Sequence, residues 1–577
     1  MCADPSARYR TEPLLLCTVS PESLTLRSIP TREHGFRTGR SPSFPHTGAR
    51  VTNPPTVFRQ LLEAQPHWLA KIRRGVEKES LRVTRKEATL AQTPHPKGLG
   101  SALTHPFITT DYSESLLEFI TPVSSSIEAT EDALLALHSF TAQQLDGEQL
   151  WSASMPCIVH GDAGIPIAEF GSSNVGKMKR VYRNGLSVRY GRRMQAIAGI
   201  HYNFSLPEAF WTAAHEKSVT GQTRRDFQTE GYLALIRNFF SRAWLLLYLL
   251  GASPAVCASF VQGNKNHPLK PLGDEHHSFF LPHATSLRMG NLGYTSNAQS
   301  GLAICYNDIE QYIRTLREAI LTPHMPYANF QIMDNGERAQ LNSALLQIEN
   351  EYYSPIRPKR VTQTGEAPIV ALARGGIEYV EVRCIDINPF VPLGIDADTM
   401  RLLDVFLMAC LIDDSPLCDE RGQQRNKINM ERIVNRGREV GLTLLAANNN
   451  EVSREDSALP IISKMREIAG WFDELPGSVG DYTRVVADAY QKVMDPSLTF
   501  SARILSEMDD TGCSFWQLAK RYSSQWHDAH LSHSLSGSEL TRLEDEARLS
   551  LKMQQDLEAQ EQPSFDQYLA QFYSQYH

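Results

Sequence analysis

Four short β-type segments of this chain each set ionisable side chains among β-branched and apolar residues: GVEKESLRV (75–83), LLEFI (116–120), IHYNFS (200–205) and IEYVEVR (377–383). In a strand, residues two apart point to the same face. Glu77 and Glu79 therefore project together, His201 and Asn203 share a face, and so do Tyr379, Glu381 and Arg383. Glu118 stands between Leu117 and Phe119. Polar groups on an apolar strand are costly unless they are paired or bound to a metal. A salt bridge with Arg82, Arg288 or Arg383 would satisfy any one of these carboxylates, and a hydrogen-bonded core site would satisfy His201.

The rest of the chain fits a sheet wrapped by helices. Apolar residues recur at helical spacing in Val57–Ile72, Ile127–Gln144, Tyr232–Leu250, Ile309–Ile320 and Met400–Ile412. The strand-like segments fall between them without the even alternation of a doubly wound sheet, which predicts an α+β fold with a mainly antiparallel sheet. No internal repeat is visible. Residues 1–54 contain seven Arg, no Lys and frequent Pro and Ser, and are expected to be a disordered extension. The main domain is expected over 55–530. A charged helix beginning near Ser536 predicts a peripheral helical segment over 531–577.

Composition removes several function classes. The chain has 577 residues, is 42% hydrophobic and carries a formal charge of −8, without a Lys/Arg tract interleaved with aromatics; nucleic acid is not an expected partner. The apolar runs at 243–252 and 405–412 are shorter than the roughly 18 to 20 residues of a bilayer span, so no membrane partner is expected. Nine scattered cysteines, an odd number without a CxxC pair, predict reduced thiols and a cytoplasmic location. Organelle targeting by the Arg- and Ser-rich leader is the alternative, diluted by four acidic residues. GSSNVGK (171–177) has the spacing of a phosphate-binding loop, but Met178 stands where Ser or Thr is required. No GxSxG, HExxH or GxGxxG occurs in a supporting context.

Several strands that each offer hard oxygen donors, with Asp111 in the turn before the Glu118 strand and a single imidazole, suit Mg²⁺ or Mn²⁺ rather than Zn²⁺. Arg183, Arg288, Lys359 and Arg360 are candidate partners for carboxylate or phosphate. Tyr112, Tyr182, Tyr294 and Tyr353 are candidates for the walls of a small-substrate pocket.

These motifs, with LGSALTHPFITTDYSESLLEFITPV, FGSSNVGKMKRVYRNGL, LGASPAVCASF, ATSLRMGNLGYT, QIENEYYSPIRPKR, RGGIEYVEVRCIDINPF and LTFSARIL, run in order from about residue 70 to 506. Together they closely resemble the proteobacterial type of glutamate–cysteine ligase. The resemblance implies a glutamine-synthetase-like funnel, formed by an antiparallel sheet whose concave face carries metals and ATP. It also implies metal-side roles for Glu77, Glu79, Asp111, Glu118, His201 and Glu381. Arg288 would face glutamate and Arg383 the transferred phosphate. Tyr112, Tyr182, Arg183, Tyr294 and Tyr353 would surround cysteine.

The implied reaction is ATP-dependent joining of the γ-carboxylate of L-glutamate to the amine of L-cysteine through a γ-glutamyl phosphate, the first step of glutathione biosynthesis. The implied partners are these small molecules, with Mg²⁺ or Mn²⁺ as cofactor and ATP as co-substrate, acting on a monomer. A related ligase using another amine, and a Mg²⁺-dependent phosphohydrolase, are the alternatives.

Overall fold

The computed structural model describes residues 54–577, apart from 264–265, 273–276, 291, 293–297, 331–337 and 364. The expected leader lies outside the described residues but for Pro54, and Tyr294 lies outside them too.

The centre is a seven-stranded sheet: β1 (Arg73–Thr84), β2 (Ile108–Thr110), β3 (Leu116–Ile120), β4 (Glu148–Leu150), β5 (Ile200–Ser205), β6 (Ile356–Lys359) and β7 (Tyr379–Ile385). Its order is β2-β3-β1-β5-β7-β6, with β4 paired to the end of β1, and every pairing between these strands is antiparallel. The mixed helical and mainly antiparallel architecture thus holds.

Eight helices matter for the site: α1 (Pro54–Ala64), α2 (Ile127–Gln144), α3 (Asn174–Tyr190), α4 (Arg224–Leu250), α5 (Pro368–Gly375), α6 (Ala397–Ile412), α7 (Gly537–Ala559) and α8 (Phe565–Ser574). The helix expected over 57–72 stops at Ala64, and a 3-10 turn, Pro66–Lys71, follows. Pro66 has no N–H to donate and pushes Gln65 out of the helical region, to φ −145°. α4 begins eight residues earlier than its apolar run, capped by the Thr223 hydroxyl, which accepts the Asp226 N–H. This helix is long and apolar enough for a bilayer, but 83% of its apolar window is buried inside the fold, as in a core helix.

Strand parity divides the sheet. Even-numbered residues of β1 and β5 face the helices behind it. There Arg74 Nη2 donates to Asp404 Oδ2 of α6 at 2.8 Å, and Tyr202 Oη donates to Asp404 Oδ1 at 2.7 Å. Lys78 is buried on this side, donating from Nζ to Ser80 Oγ at 2.7 Å and lying 3.2 Å from His138 Nε2 of α2. The odd-numbered residues carry the acidic and basic groups of the opposite face.

The segment expected to be peripheral, 531–577, is joined to the body. Ser550 of α7 accepts the Ser101 N–H at 2.9 Å, and Tyr576 is fully buried. Its charged helix hid an apolar seam, Leu543, Ala547 and Ser550, that packs inward, while α8 contributes Leu569 to a core cluster with Val181 and Leu341.

Candidate active site

The register of the sheet assembles the candidate residues. Glu77 is paired with His201, Glu79 with Glu118, Glu381 with Asn203, and Arg357 with Glu381 across four adjacent strand pairs. One cavity of about 870 Å³ opens over this face. Glu77, Glu79, Asp111, Glu118, His201 and Glu381 line it, and so do Tyr112, Tyr182, Arg183, Tyr353, Lys359 and Arg383.

The centre is dense in charge. His201 Nδ1 lies 3.0 Å from Glu77 Oε2 and 3.8 Å from Glu381 Oε1, while its Nε2 lies 3.6 Å from Glu79 Oε1. Asn203 Nδ2 donates to Glu77 Oε1 at 3.0 Å, and the Gly199 N–H donates to Glu79 Oε2 at 2.6 Å. Glu381, fully buried, takes its counter-charge from Lys359 Nζ at 3.1 Å and Arg383 Nη1 at 3.2 Å.

These environments push the carboxyl groups apart in acidity. Burial and then Asp111 raise Glu79 to about 8. Burial, then the charges of Glu77, Asp111 and Glu79, hold Glu118 well above the carboxylate range. Burial acts against ionisation of Glu381 as well, but the cations Lys359, Arg383 and Arg357 outweigh it and hold Glu381 well below that range. Burial and then Arg383 lower His201 and keep the imidazole neutral, the form that binds metals.

The donor chemistry fits a hard divalent cation. One ligand atom each from Glu77, Glu118 and His201 lie within 4.8 Å of one another. The carboxylates around them repel each other, a deficit of positive charge that a cation would cancel.

Not every candidate reaches the cavity. Arg288 is 1% exposed and lies off the cavity wall. Its Nη2 donates to the backbone carbonyl of Arg383 at 2.9 Å, and it packs so closely on Gly199 that a Cβ there would meet Nη2 at 1.9 Å. Arg288 therefore supports the strand that carries Arg383 rather than facing the cavity. Arg360 caps the end of α5, donating to the carbonyls of Gly375 and Gly376. Arg183 lines the cavity while donating to the carbonyl of Asp111 and, at 3.0 Å, that of Lys179. GSSNVGK forms the cap of α3: Ser173 Oγ accepts the Gly176 N–H, and the free N–H groups of Ser172 and Asn174 donate to Glu558 and Gln562.

Sequence reading missed the wall opposite the sheet. Arg189 Nη1 meets Glu351 Oε1 at 2.8 Å with both side chains fully buried, Tyr190 Oη donates to the same oxygen at 2.6 Å, and the Arg189 guanidinium lies 4.3 Å from the Tyr327 ring centre. Lys179 also lines the cavity, and burial followed by Arg183 lowers it to about 8. The helix face of α3 was a usable signal, because Lys179, Tyr182, Arg183, Leu186 and Tyr190 recur at three- and four-residue spacing.

A cavity lined by carboxylates, imidazole and guanidinium groups on one sheet face is the kind of site that binds polyanions through hard cations. Comparison with known proteins makes it specific. The family model for glutamate–cysteine ligase matches residues 59–433. Glutamate–cysteine ligase of Pseudomonas putida is 48% identical over 513 residues, 89% of this chain and 96% of the relative. That of Azotobacter vinelandii is 48% identical over 502 residues, 86% of this chain and 93% of the relative. A crystal structure of glutamate–cysteine ligase from Francisella tularensis in complex with AMP superposes with a TM-score of 0.81 at 36% identity, covering 87% of this chain and 98% of that one. A bifunctional glutathione synthetase from Pasteurella multocida shares the fold, with a TM-score of 0.68 at 23% identity over 85% of this chain and 58% of that one. The chain belongs to the glutamate–cysteine ligase family.

Proposed function

We propose that the cavity is the active site of a glutamate–cysteine ligase, joining the γ-carboxylate of L-glutamate to the amine of L-cysteine with ATP converted to ADP and phosphate. The observation that carries this reading is the convergence of acidic and basic groups from β1, β3, β5 and β7 on one cavity, in a chain 48% identical to named glutamate–cysteine ligases. The AMP-bound Francisella tularensis relative supports ATP as the co-substrate.

Glu77, Glu79, Asp111, Glu118, His201 and Glu381 would hold Mg²⁺ or Mn²⁺. A divalent cation bound there neutralises phosphate charge and orients the phosphoryl group. Arg383 stabilises the phosphoryl group as it passes from ATP to the γ-carboxylate; Glu381 fixes its guanidinium, and Arg288 holds its backbone. The product of that transfer is an acyl phosphate, which the cysteine amine attacks with release of phosphate. Tyr112, Tyr182, Arg183 and Tyr353 form the side of the cavity where the amine binds. Proximity of the three ligands supplies much of the acceleration.

The catalytic unit is residues 55–530, to which α8 adds part of the cavity wall. The seven described cysteines are free thiols, which suits the cytoplasm. The deciding measurement is ADP release with Mg²⁺, ATP and L-glutamate, with and without L-cysteine, and mass detection of γ-glutamylcysteine. Cysteine-dependent ADP matched by dipeptide is the expected result. Dependence on another amine would change the substrate, and amine-independent release would make the protein a phosphohydrolase.

A further inference from the structure

One side of the cavity wall comes from α8, beyond the family match that ends at residue 433. Tyr568 and Phe572 reach the cavity from this helix. The polar groups that follow them hold other parts of the wall. Tyr573 Oη donates to the carbonyl of Gln347 at 2.8 Å and accepts from Asn342 Nδ2 at 2.9 Å. Gln347 is fully buried and serves the cavity directly: its Nε2 donates to the carbonyl of Tyr182 at 3.1 Å, and its N–H donates to Glu351 Oε2 at 2.7 Å.

A second tie runs through Tyr576, whose hydroxyl donates to Glu349 Oε2 at 2.6 Å. Glu349 Oε1 in turn accepts the Ile369 N–H at 2.9 Å, in the first turn of α5. Gln575 grips the loop before α5, accepting the Ala367 N–H and donating to the carbonyl of Gly365, both at 2.9 Å. Gly365 and Glu366 themselves line the cavity. Two wall segments, 342–351 and 365–369, are thus tied to the end of α8 and the residues just after it by three neighbouring side chains, Tyr573, Gln575 and Tyr576. Buried hydroxyl-to-carbonyl and hydroxyl-to-carboxylate bonds of this kind favour one arrangement of the groups they join, because any other leaves a polar group unpaired.

We propose that Tyr573 and Tyr576 are positioning residues for the amine side of the cavity, acting through Gln347 and Glu349 to fix Tyr182 and Glu351. The inference rests on the ligase reading for the identity of the substrate. The sheet that carries the metal-side residues has no bond to either tyrosine among the described residues, so the nucleotide is spared and the effect falls on the amine.

The test uses full-length Tyr573→Phe, Tyr576→Phe and the double variant. KM for L-cysteine is expected to rise about fivefold or more in the double variant, with kcat and KM for ATP within about twofold of wild type. Hydrogen exchange of amides in 342–351 is expected to speed up by a similar factor, while that of β1 is unchanged. An unchanged KM for L-cysteine in active variants, or equal rises in KM for ATP and L-cysteine, would overturn the positioning role. If the double variant does not fold, the single variants Tyr573→Phe and Tyr576→Phe take its place, with a raised KM for L-cysteine and faster exchange in 342–351 as the required result. Wild-type protein without cysteine-dependent ADP release would overturn the ligase reading alone, and the exchange comparison then decides the positioning role.

Discussion

Glu77 and His201 face each other across β1 and β5 as register partners, and the imidazole Nδ1 stands 3.0 Å from the Glu77 carboxylate. Burial and then the charge of Glu381 act against ionisation of Glu77, but the His201 hydrogen bond and Lys359 outweigh them and hold its carboxyl below the ordinary value. Glu77→Gln keeps the side chain's size and its acceptor for Asn203 but removes one negative charge. The variant is expected to unfold at a lower temperature than wild type without metal, to lose stabilisation by Mg²⁺, and to lose about 10²-fold or more in turnover. Thermal unfolding with and without Mg²⁺, beside ADP release, measures all three.

Glu381 answers differently because it is the counter-charge of Lys359 and Arg383. Glu381→Ala leaves these cations, with Arg357, facing each other around a buried hole. The expected loss is about 3–5 kcal/mol of stability together with turnover. Urea unfolding checks it, and a variant as stable as wild type would show that the cations find other partners.

Acidity gives a signed prediction. The Glu79 carboxyl sits near 8 in the folded protein, raised by burial and then by Asp111 above an ordinary 4.5. A carboxyl raised on folding stabilises the fold fully below its unfolded value, and that contribution is lost as pH rises through the folded one. Glu118 shifts in the same direction. The contribution of these two carboxyls is therefore expected to fall between about pH 4.5 and 8. It is opposed up to about pH 6.5 by imidazoles that burial lowers, such as His95 and His530, so it is read as the difference between wild type and Glu79→Gln. Mg²⁺, which binds the ionised form, is expected to stabilise wild type more at about pH 8.5 than at about pH 6. Melting temperatures across that range, with Mg²⁺ or EDTA, decide the matter.

Behind the sheet, Arg74 and Asp404 form a pair shielded from solvent, with Asp404 also accepting from Tyr202. Arg74→Ala strands the aspartate and is expected to cost about 3–5 kcal/mol, while KM values in the surviving folded fraction stay near wild type. Denaturant unfolding and steady-state kinetics separate the two effects.

Strand parity was legible because it is local: Glu77 and Glu79 share a face whatever the rest of the chain does, and Leu116–Ile120 and Ile200–Ser205 form strands over the expected residues. The pairing of Arg189 with Glu351 was not, because a buried ion pair between positions 162 apart leaves no periodic signal. The placement of Arg288 was not legible for a related reason. A guanidinium near acidic strands reads as a ligand-facing group, whereas the missing Cβ of Gly199 lets it slide beneath the sheet and bond the carbonyl of Arg383. The charged run of α7 suggested a loose surface helix, and neither its short inward seam nor the aromatic side of α8 stands out from polar neighbours in the sequence.

The cavity draws its lining from residues as far apart as Glu77 and Phe572. Contacts of such sequence separation form late in folding, after the local helices and hairpins that precede them. Partly folded chains are therefore expected to hold helix while offering no binding site, so in a denaturant series nucleotide binding is expected to disappear before the helical signal does.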